Sequence, residues 1–185
     1  MIRYAAFQAL QTEHLTLRKL RREDVPLYYE RIGSRKAVTD GMLFEPHKSI
    51  CDSVTSIGKA LRRYENGCCY RWAIALPTDD SIIGVIELLA FDEEKATCSF
   101  AYMLCPEDWG KGYGTEALRA VLQYAFMVLQ VETVVADHFT TNPASGAVMR
   151  KAGMRYVQTI PGKYEKQGKL LDADQYRICK NEWNI

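Results

Sequence analysis

The chain has few of the features that mark metal proteins, secreted scaffolds and membrane proteins. It holds only three histidines, and its six cysteines form no C-x-x-C pair, which excludes the common zinc-binding patterns. The cysteines lack small-scaffold disulfide spacing, and the first ten residues lack the basic and apolar segments of an export signal. No run approaches the ~20 apolar residues of a membrane span. We therefore expect a cytoplasmic protein with free thiols, no metal and no membrane contact.

The chain also lacks a strong charge of either sign. A formal net charge of +1 over 185 residues gives no electrostatic reason to expect a nucleic-acid partner. Hydrophobic residues make up 48% and charged residues 25%, which is ordinary for a globular protein. A chain of this length fits one domain with a sizeable core, which we expect to span residues 1–185.

A glycine-rich loop is the most informative segment that is present. It separates a strand-like run at residues 98–104 from a helix-like run at 115–128, and it contains Trp109, Gly110, Lys111, Gly112, Tyr113, Gly114, Thr115 and Glu116. Glycines at such a junction let backbone N–H groups approach an anion, and the helix N-terminus adds roughly +0.5 of an elementary charge. The loop is either a pyrophosphate site or a plain turn before a helix.

Two well-known nucleotide-binding motifs do not fit this loop. A dinucleotide fingerprint needs G-x-G-x-x-G, whereas Gly110, Gly112 and Gly114 alternate. A P-loop needs Ser or Thr after its Lys, but Lys111 is followed by Gly112. The sequence therefore favours a phosphorylated cofactor that is neither NAD nor ATP.

Hydrophobic periodicity predicts an α/β (α+β) fold with a mixed, mostly antiparallel sheet. Apolar runs indicate strands at residues 15–20, 70–76, 82–91, 96–104, 133–136, 154–160 and 170–178. Helices are indicated from Arg22 to Gly33 and at 49–64, 115–128 and 142–151. The third helix has a predicted buried stripe that consists of Leu118, Val121, Leu122, Ala125 and Phe126. A polar turn at 166–169 joins the last two strands.

These elements and several short motifs resemble the GNAT superfamily of acyl-CoA N-acyltransferases, in its ribosomal-protein N-acetyltransferase (RimJ/RimL-like) branch. The resemblance covers essentially the whole chain. Its motifs are Leu15-Thr16-Leu17-Arg18, Ile83-Gly84, the block 106–118, Asn142-Pro143-Ala144-Ser145, Lys151-Ala152-Gly153-Met154, Gly168, Asp172, Tyr176 and Glu182-Trp183. The resemblance implies a central sheet of about seven strands flanked by four helices, in which the fourth strand separates from the fifth.

The same resemblance implies acetyl-CoA as co-substrate. In the family pattern at the loop, Trp109 stands at a position that is often Gln or Arg, and N–H groups from Gly110 through Thr115 cradle the pyrophosphate. The implied cofactor residues are Met103, Leu104, Cys105, Trp109, Gly110, Lys111, Gly112, Tyr113, Gly114, Thr115, Asn142 and Ser145. Asn142 matches an asparagine that reaches the pantetheine or acetyl region, and it is also a suitable helix N-cap.

The catalytic residues are less clearly marked than the cofactor residues. Direct transfer needs a base that takes the amine proton, and Glu87 lies in an apolar run at 82–89. A buried carboxylate is costly unless it is paired or functional, so Glu87 is this proton acceptor, a structural ion-pair partner or an edge-exposed acid. Cys105 near the expected thioester raises a ping-pong mechanism as a minor alternative, because the resemblance implies direct attack.

Two positions depart from the family pattern. Many relatives place the base on the following strand, where this chain has Ser99, and many protonate the leaving thiolate with a Tyr, where this chain has Met149. In this branch Ser145 is the alternative proton donor, unless it is a plain surface serine. Tyr176 and Tyr102 are further candidates, although tyrosines in strands usually serve packing.

The acetyl acceptor is the most open part of the sequence-based interpretation. The resemblance implies a primary amine, either a protein N-terminus or a small molecule such as an aminoglycoside, a polyamine or an amino acid. Loss of the two family residues keeps a catalytically idle coenzyme A sensor as a further reading. The loop at 38–48 and the hairpin at 161–169 are expected to select the acceptor. A homodimer and an acyl group longer than acetyl stay open as well.

Overall fold

The computed structural model describes residues 1–67 and 69–183 and contains one eight-stranded sheet. The strands are β1 Leu10–Gln11, β2 Thr16–Arg18, β3 Tyr70–Ala75, β4 Ile82–Asp92, β5 Thr97–Leu104, β6 Thr133–Phe139, β7 Arg155–Lys166 and β8 Lys169–Cys179, in the spatial order β1-β2-β3-β4-β5-β6-β8-β7. β5 and β6 are parallel and the other neighbours are antiparallel. The predicted mixed, mostly antiparallel sheet is confirmed, with β1 as an additional short strand. Cys68, one of the thiols expected to be free, lies outside the described residues.

The helical segments are α1 Val25–Tyr28, α2 Lys36–Thr39, α3 Ile50–Glu65, α4 Tyr113–Met127 and α5 Pro143–Lys151. The predicted helix from Arg22 to Gly33 is confirmed in its bounds, although only its middle is α-helical. A 3-10 turn precedes α1, and a π-helical turn, Tyr29–Gly33, follows it. The N–H and the hydroxyl of Ser34 both donate to the Tyr29 carbonyl, at 3.0 and 2.7 Å, and this wider turn ends the helix.

Helices cover both faces of the sheet. On one face α4 and α5 pack over the larger core, and the predicted stripe of α4 from Leu118 to Phe126 is fully buried. On the other face α1 and α3 pack over a second core that includes Ile57 and Met103. Because side chains alternate along a strand, β5 contributes Phe100 to the first core and Met103 to the second.

β5 and β6 are paired at one end only. Their parallel pairing is limited to residues 97–99 of β5 and 133–135 of β6. Both strands continue further, to Leu104 and Phe139. The predicted separation of these two strands is therefore confirmed, and it opens a gap in the middle of the sheet.

The β7–β8 hairpin reaches from the sheet edge towards α2. Its turn has Gln167 at φ 54° and Gly168 at φ 71°, as a two-residue hairpin turn with left-handed backbone requires. The ammonium of Lys166 donates to the carbonyls of Thr39 and Met42, at 2.7 and 2.8 Å. These bonds hold the hairpin against the segment that follows α2.

Candidate active site

A cavity of about 840 Å³ occupies the gap between β5 and β6. The glycine loop and the start of α4 line one end, and the first turns of α5 line the middle. The segment from α2 to Phe44, together with Lys163 and Tyr164 of β7, lines the other end. One continuous space therefore connects the glycine loop to the two segments expected to select an acceptor.

The glycine loop leaves free space and open donors at its end of the cavity. Gly110 has φ 76° and Gly112 has φ 89°, and a Cβ at either position would meet nothing within 4 Å among the described residues. α4 begins directly after Gly112, and no side chain in the described part of the chain caps its first turn. The first N–H groups of α4 and its helix dipole therefore favour an anion here. The loop offers the space and the donors that a pyrophosphate requires.

Buried Asp108 anchors the loop to the rest of the protein. Its carboxylate, 5% exposed, lies 3.1 Å from the guanidinium of Arg31 and 2.8 Å from the ammonium of Lys111. The hydrogen bond to Asp108 raises the pKa of Lys111. Trp109 donates its Nε1–H to the Leu104 carbonyl at 2.9 Å, so the indole holds the loop to the end of β5. Sequence reasoning missed Arg31 because nothing local to the π turn links it to a loop 77 residues away.

Most of the predicted cofactor residues lie on the cavity wall, but two do not. Those on the wall are Met103, Leu104, Trp109, Gly110, Gly112, Tyr113, Gly114, Thr115, Asn142 and Ser145. Cys105 is fully buried outside the lining, its thiol donates to the Glu107 carboxylate, and burial raises its pKa. Lys111 is also outside the lining, and its ammonium donates a hydrogen bond to the Asp108 carboxylate. A buried, protonated thiol is a poor nucleophile, so the geometry does not favour a ping-pong role for Cys105.

Asn142 and Ser145 lie side by side where α5 begins. Asn142 Oδ1 accepts a hydrogen bond from the N–H of Ser145 at 3.4 Å, as an N-cap does, while the residue also lines the cavity. Ser145 is only 9% exposed, and it lines the cavity together with Tyr102 of β5. Burial raises the pKa of Tyr102 and keeps its hydroxyl protonated. The wall therefore carries two hydroxyl groups that can donate a proton.

The other two predicted catalytic residues lie outside the cavity lining. The carboxylate of Glu87 is 24% exposed and lies 3.6 Å from the guanidinium of Arg63 on α3. Glu87 is nevertheless paired in register with Ala101, which does line the cavity. Tyr176 is 3% exposed, and its hydroxyl accepts a hydrogen bond from Arg150 at 2.6 Å. Glu87 thus has the ion pair that was its alternative interpretation, and Tyr176 packs in the core.

The cavity also contains a carboxylate that sequence reasoning missed. Asp137 of β6 accepts hydrogen bonds at Oδ2 from the Lys163 ammonium and, at 2.8 Å, from the Tyr164 hydroxyl. Its Oδ1 is buried and has no hydrogen-bond partner within the described residues. Burial and Asp137 together raise the pKa of Tyr164 to about 12. The available signal was weaker than for Glu87, because Asp137 follows the apolar run at 133–136 and does not lie inside it.

Residues 1–67 and 69–183 contain neither a cluster of metal ligands nor a membrane-spanning helix. Within these ranges, no three or more His, Cys, Asp or Glu side chains lie together in an arrangement that could hold a metal ion. None of the helices in the same ranges combines the length and the apolar character needed to cross a membrane.

Comparison with known proteins identifies the family. A profile described as "Acetyltransferase (GNAT) domain" matches residues 14–155, more than half of the chain. The chain is 26% identical over 174 residues to the uncharacterised N-acetyltransferase YoaA of Bacillus subtilis (strain 168), covering 94% of this chain and 98% of YoaA.

Solved structures show the same fold. A GNAT-family acetyltransferase from Bacillus anthracis superposes with a TM-score of 0.84 at 22% identity, over 94% of this chain and 99% of that one. Spermidine N-acetyltransferase from Vibrio cholerae, solved in complex with CoA and spermine, superposes with a TM-score of 0.78 at 19% identity, over 92% and 98%. Because the family profile matches most of a chain that has this fold and this cavity, the chain belongs to the GNAT acetyltransferase family and is an N-acetyltransferase.

Proposed function

We propose that the protein transfers an acetyl group from acetyl-CoA directly to a primary amine. The separation of β5 from β6 beyond residues 99 and 135, which we call the strand fork, is the observation that carries this proposal. It opens one cavity with two different ends. One end has the glycine loop and the uncapped start of α4, which suit a pyrophosphate. The other end has apolar side chains from the segment after α2. A co-substrate bound at the first end leaves the second end for the amine.

The residues on the wall fit acetyl-CoA. Backbone N–H groups from Gly110 to Thr115 hold its pyrophosphate, and Met103 and Leu104 line the pantetheine arm. Asn142 reaches the pantetheine while it caps α5. When bound, acetyl-CoA supplies an activated acetyl thioester, and the chain's own residues position the amine and move the protons.

The transfer forms a C–N bond and breaks the C–S bond of the thioester. A lysine-type amine, with a pKa of about 10.4, must lose a proton before it attacks. We assign Glu87 as the acceptor of that proton, because it is paired in register with the wall residue Ala101. Glu87 does not line the cavity itself, so the proton reaches it through water. Ser145, which lines the cavity with Tyr102, gives a proton to the leaving thiolate. Tyr176 is a positioning residue that holds Arg150 on α5, the helix that carries Ser145.

The acceptor class and the branch belong to this proposal as well. The RimJ/RimL-like motifs support a protein N-terminus, and the name of the Vibrio cholerae neighbour supports a polyamine. Aminoglycosides and amino acids are further members of the panel to be tested. The protein is proposed to act as a single domain over residues 1–185, with a homodimer as one assembly to examine.

A coenzyme A release assay over a panel of amines tests the proposal. We expect acetyl-CoA to raise the melting temperature and the release of coenzyme A to depend on the amine. Ser145→Ala should slow release and leave acetyl-CoA affinity unchanged. Ser56→Ala on α3 is the matched control, because Ser56 lies outside this cavity. Binding of acetyl-CoA without release by any amine would contradict the proposal and favour a coenzyme A sensor.

A further inference from the structure

Asp137 has a hydrogen-bond acceptor that the described part of the protein leaves unfilled. Its side chain is 14% exposed, and Lys163 and Tyr164 both donate to Oδ2. Oδ1 is buried without a partner among these residues. A buried carboxylate oxygen that has lost water without gaining a donor is unfavourable, so a ligand that brings an N–H group removes a cost.

The position of Asp137 places this oxygen at the inner end of the strand fork. Val135 is the last residue of β6 that is paired with β5, opposite Ser99. Asp137 follows two residues later, where the strands have begun to separate, and it shares a face of the sheet with Val135. Both Asp137 and Ser99 line the cavity. Asp137 therefore lies on the cavity wall close to the point where β5 and β6 separate, beside Lys163 and Tyr164.

We propose that Oδ1 of Asp137 accepts a hydrogen bond from the amino group of the acceptor, and that this acceptor is a primary amine on an apolar body without a second cationic group. The inference rests on the proposed function and names a residue and a substrate class for it. Asp137 holds and orients the amine, and the proton that the amine loses before it attacks still goes to Glu87.

The surroundings of Asp137 carry the second part of the proposal. The wall at this end of the cavity is mostly apolar, with contributions from Val38, Met42, Phe44, Leu89 and Phe139. Asp40, an acid in the same wall, is paired with Lys36 at 2.6 Å. A second ammonium on the acceptor would lose water among these apolar groups without gaining a carboxylate of its own.

Lys163 further disfavours an acceptor that carries a second cationic group. Its ammonium already neutralises the Asp137 carboxylate, so the site gains little from binding a cationic amine and instead hydrogen-bonds the uncharged amine. The uncharged amine is the form that attacks a thioester. A second ammonium near Lys163 would also be repelled by it.

The test is Asp137→Asn with phenethylamine as the probe. Lys163 and Tyr164 are both donors at Oδ2, so they orient the new amide oxygen towards themselves. The amide NH₂ then replaces Oδ1, so the N–H of the amine loses its acceptor. The amine could bond this NH₂ only through the lone pair that must attack the thioester. We expect the KM for phenethylamine to rise roughly 10- to 100-fold, as for an unpaired buried group, while acetyl-CoA affinity stays unchanged. Calorimetric titration of phenethylamine into the coenzyme A complex should show the same loss of affinity without turnover.

Asp174→Asn is the matched control. Asp174 lies on the neighbouring strand β8, opposite His138, and is not part of the cavity wall. The same substitution there should leave the KM for phenethylamine unchanged. Because Asp137→Asn removes the counter-ion of Lys163, Asp137→Asn/Lys163→Met is the second variant if the single one unfolds. Wild-type amine affinity in a folded variant that still binds acetyl-CoA would overturn the role of Asp137.

Spermidine is the competing acceptor in the same assays. We expect the wild-type protein to show a kcat/KM at least tenfold higher for phenethylamine than for spermidine. A preference for spermidine, or acetylation of neither amine by protein that acetylates another amine of the panel, would overturn the assigned acceptor class. Failure of the proposed function would look different, because then no amine of the panel would release coenzyme A, whether or not acetyl-CoA binds.

Discussion

Gly112 allows a direct test of the anion site, because an isosteric pair of substitutions separates charge from backbone strain. Gly112 has φ 89°, and a Cβ there would meet no described atom within 4 Å, so a side chain fits without a clash. Asn and Asp are the non-glycine residues that tolerate this backbone best, and each should cost about 1–2 kcal/mol of stability. Gly112→Asn and Gly112→Asp should therefore melt at nearly the same temperature without ligand.

The two variants should differ in their affinity for acetyl-CoA. Two unit charges about 4 Å apart repel by about 1 kcal/mol in water and about 4 kcal/mol at the effective dielectric near a protein surface. The carboxylate introduced by Gly112→Asp would face the pyrophosphate, so the Kd of this variant should exceed that of Gly112→Asn by roughly 5- to 1,000-fold. Calorimetry at two salt concentrations measures the difference, which should shrink as salt screens it. Equal affinities in the two folded variants would refute the assignment of the pyrophosphate to this loop.

Three further substitutions test the cap, the base and the fold. Asn142→Ala should cost about 1 kcal/mol of stability through loss of the α5 cap and should also weaken acetyl-CoA binding, as measured by thermal shift and calorimetry; a stability loss with unchanged affinity would leave Asn142 a cap alone. Glu87→Gln should lower kcat by roughly 10²–10⁴-fold with acetyl-CoA affinity retained, whereas a change in KM alone or in stability alone would assign Glu87 to substrate attraction or to structure. Arg18→Met should lower the free energy of unfolding, measured in urea, by about 3–5 kcal/mol, because it leaves the buried Asp24 carboxylate without its cationic partner. Arg18 binds this carboxylate through two hydrogen bonds of 2.9 Å. The exposed Arg21→Met is its control and should cost less than about 1 kcal/mol, so equal losses would contradict this reasoning.

The sequence was most informative where one local pattern determines the structure. The stripe of α4 has the period of a helix, so the buried positions from Leu118 to Phe126 followed directly from the residue order. The alternating glycines could be placed between a strand and a helix for the same reason. The π-helical form of the turn at Tyr29–Gly33 could not be predicted, because it depends on how Ser34 bonds back to Tyr29 in the folded chain.

Asp137 shows a different limit of the sequence. The apolar run that indicates β6 ends at Ala136, although the strand continues through Asp137 to Phe139. Its continuation depends on pairing with β8, where Asp137 is opposite Gln175. A period-two pattern cannot report a partner strand that lies nearly forty residues further along the chain. The residue therefore gained a functional meaning only when its position in the fork was known.

The β7–β8 hairpin explains why the acceptor end of the cavity was the least predictable part of the protein. Pro161 and Gly162 predicted the end of β7, yet the strand passes through both. A proline is tolerated there because β7 is at the edge of the sheet, and Gly162, at φ 57°, donates its N–H to Asp172 at 2.8 Å in an irregular stretch of the ladder. This irregular stretch places the ammonium of Lys163 against the carboxylate of Asp137, and the two residues are 26 positions apart in the sequence. The cofactor end is one contiguous segment that a motif can describe, whereas the acceptor end consists of side chains that only the folded hairpin brings together.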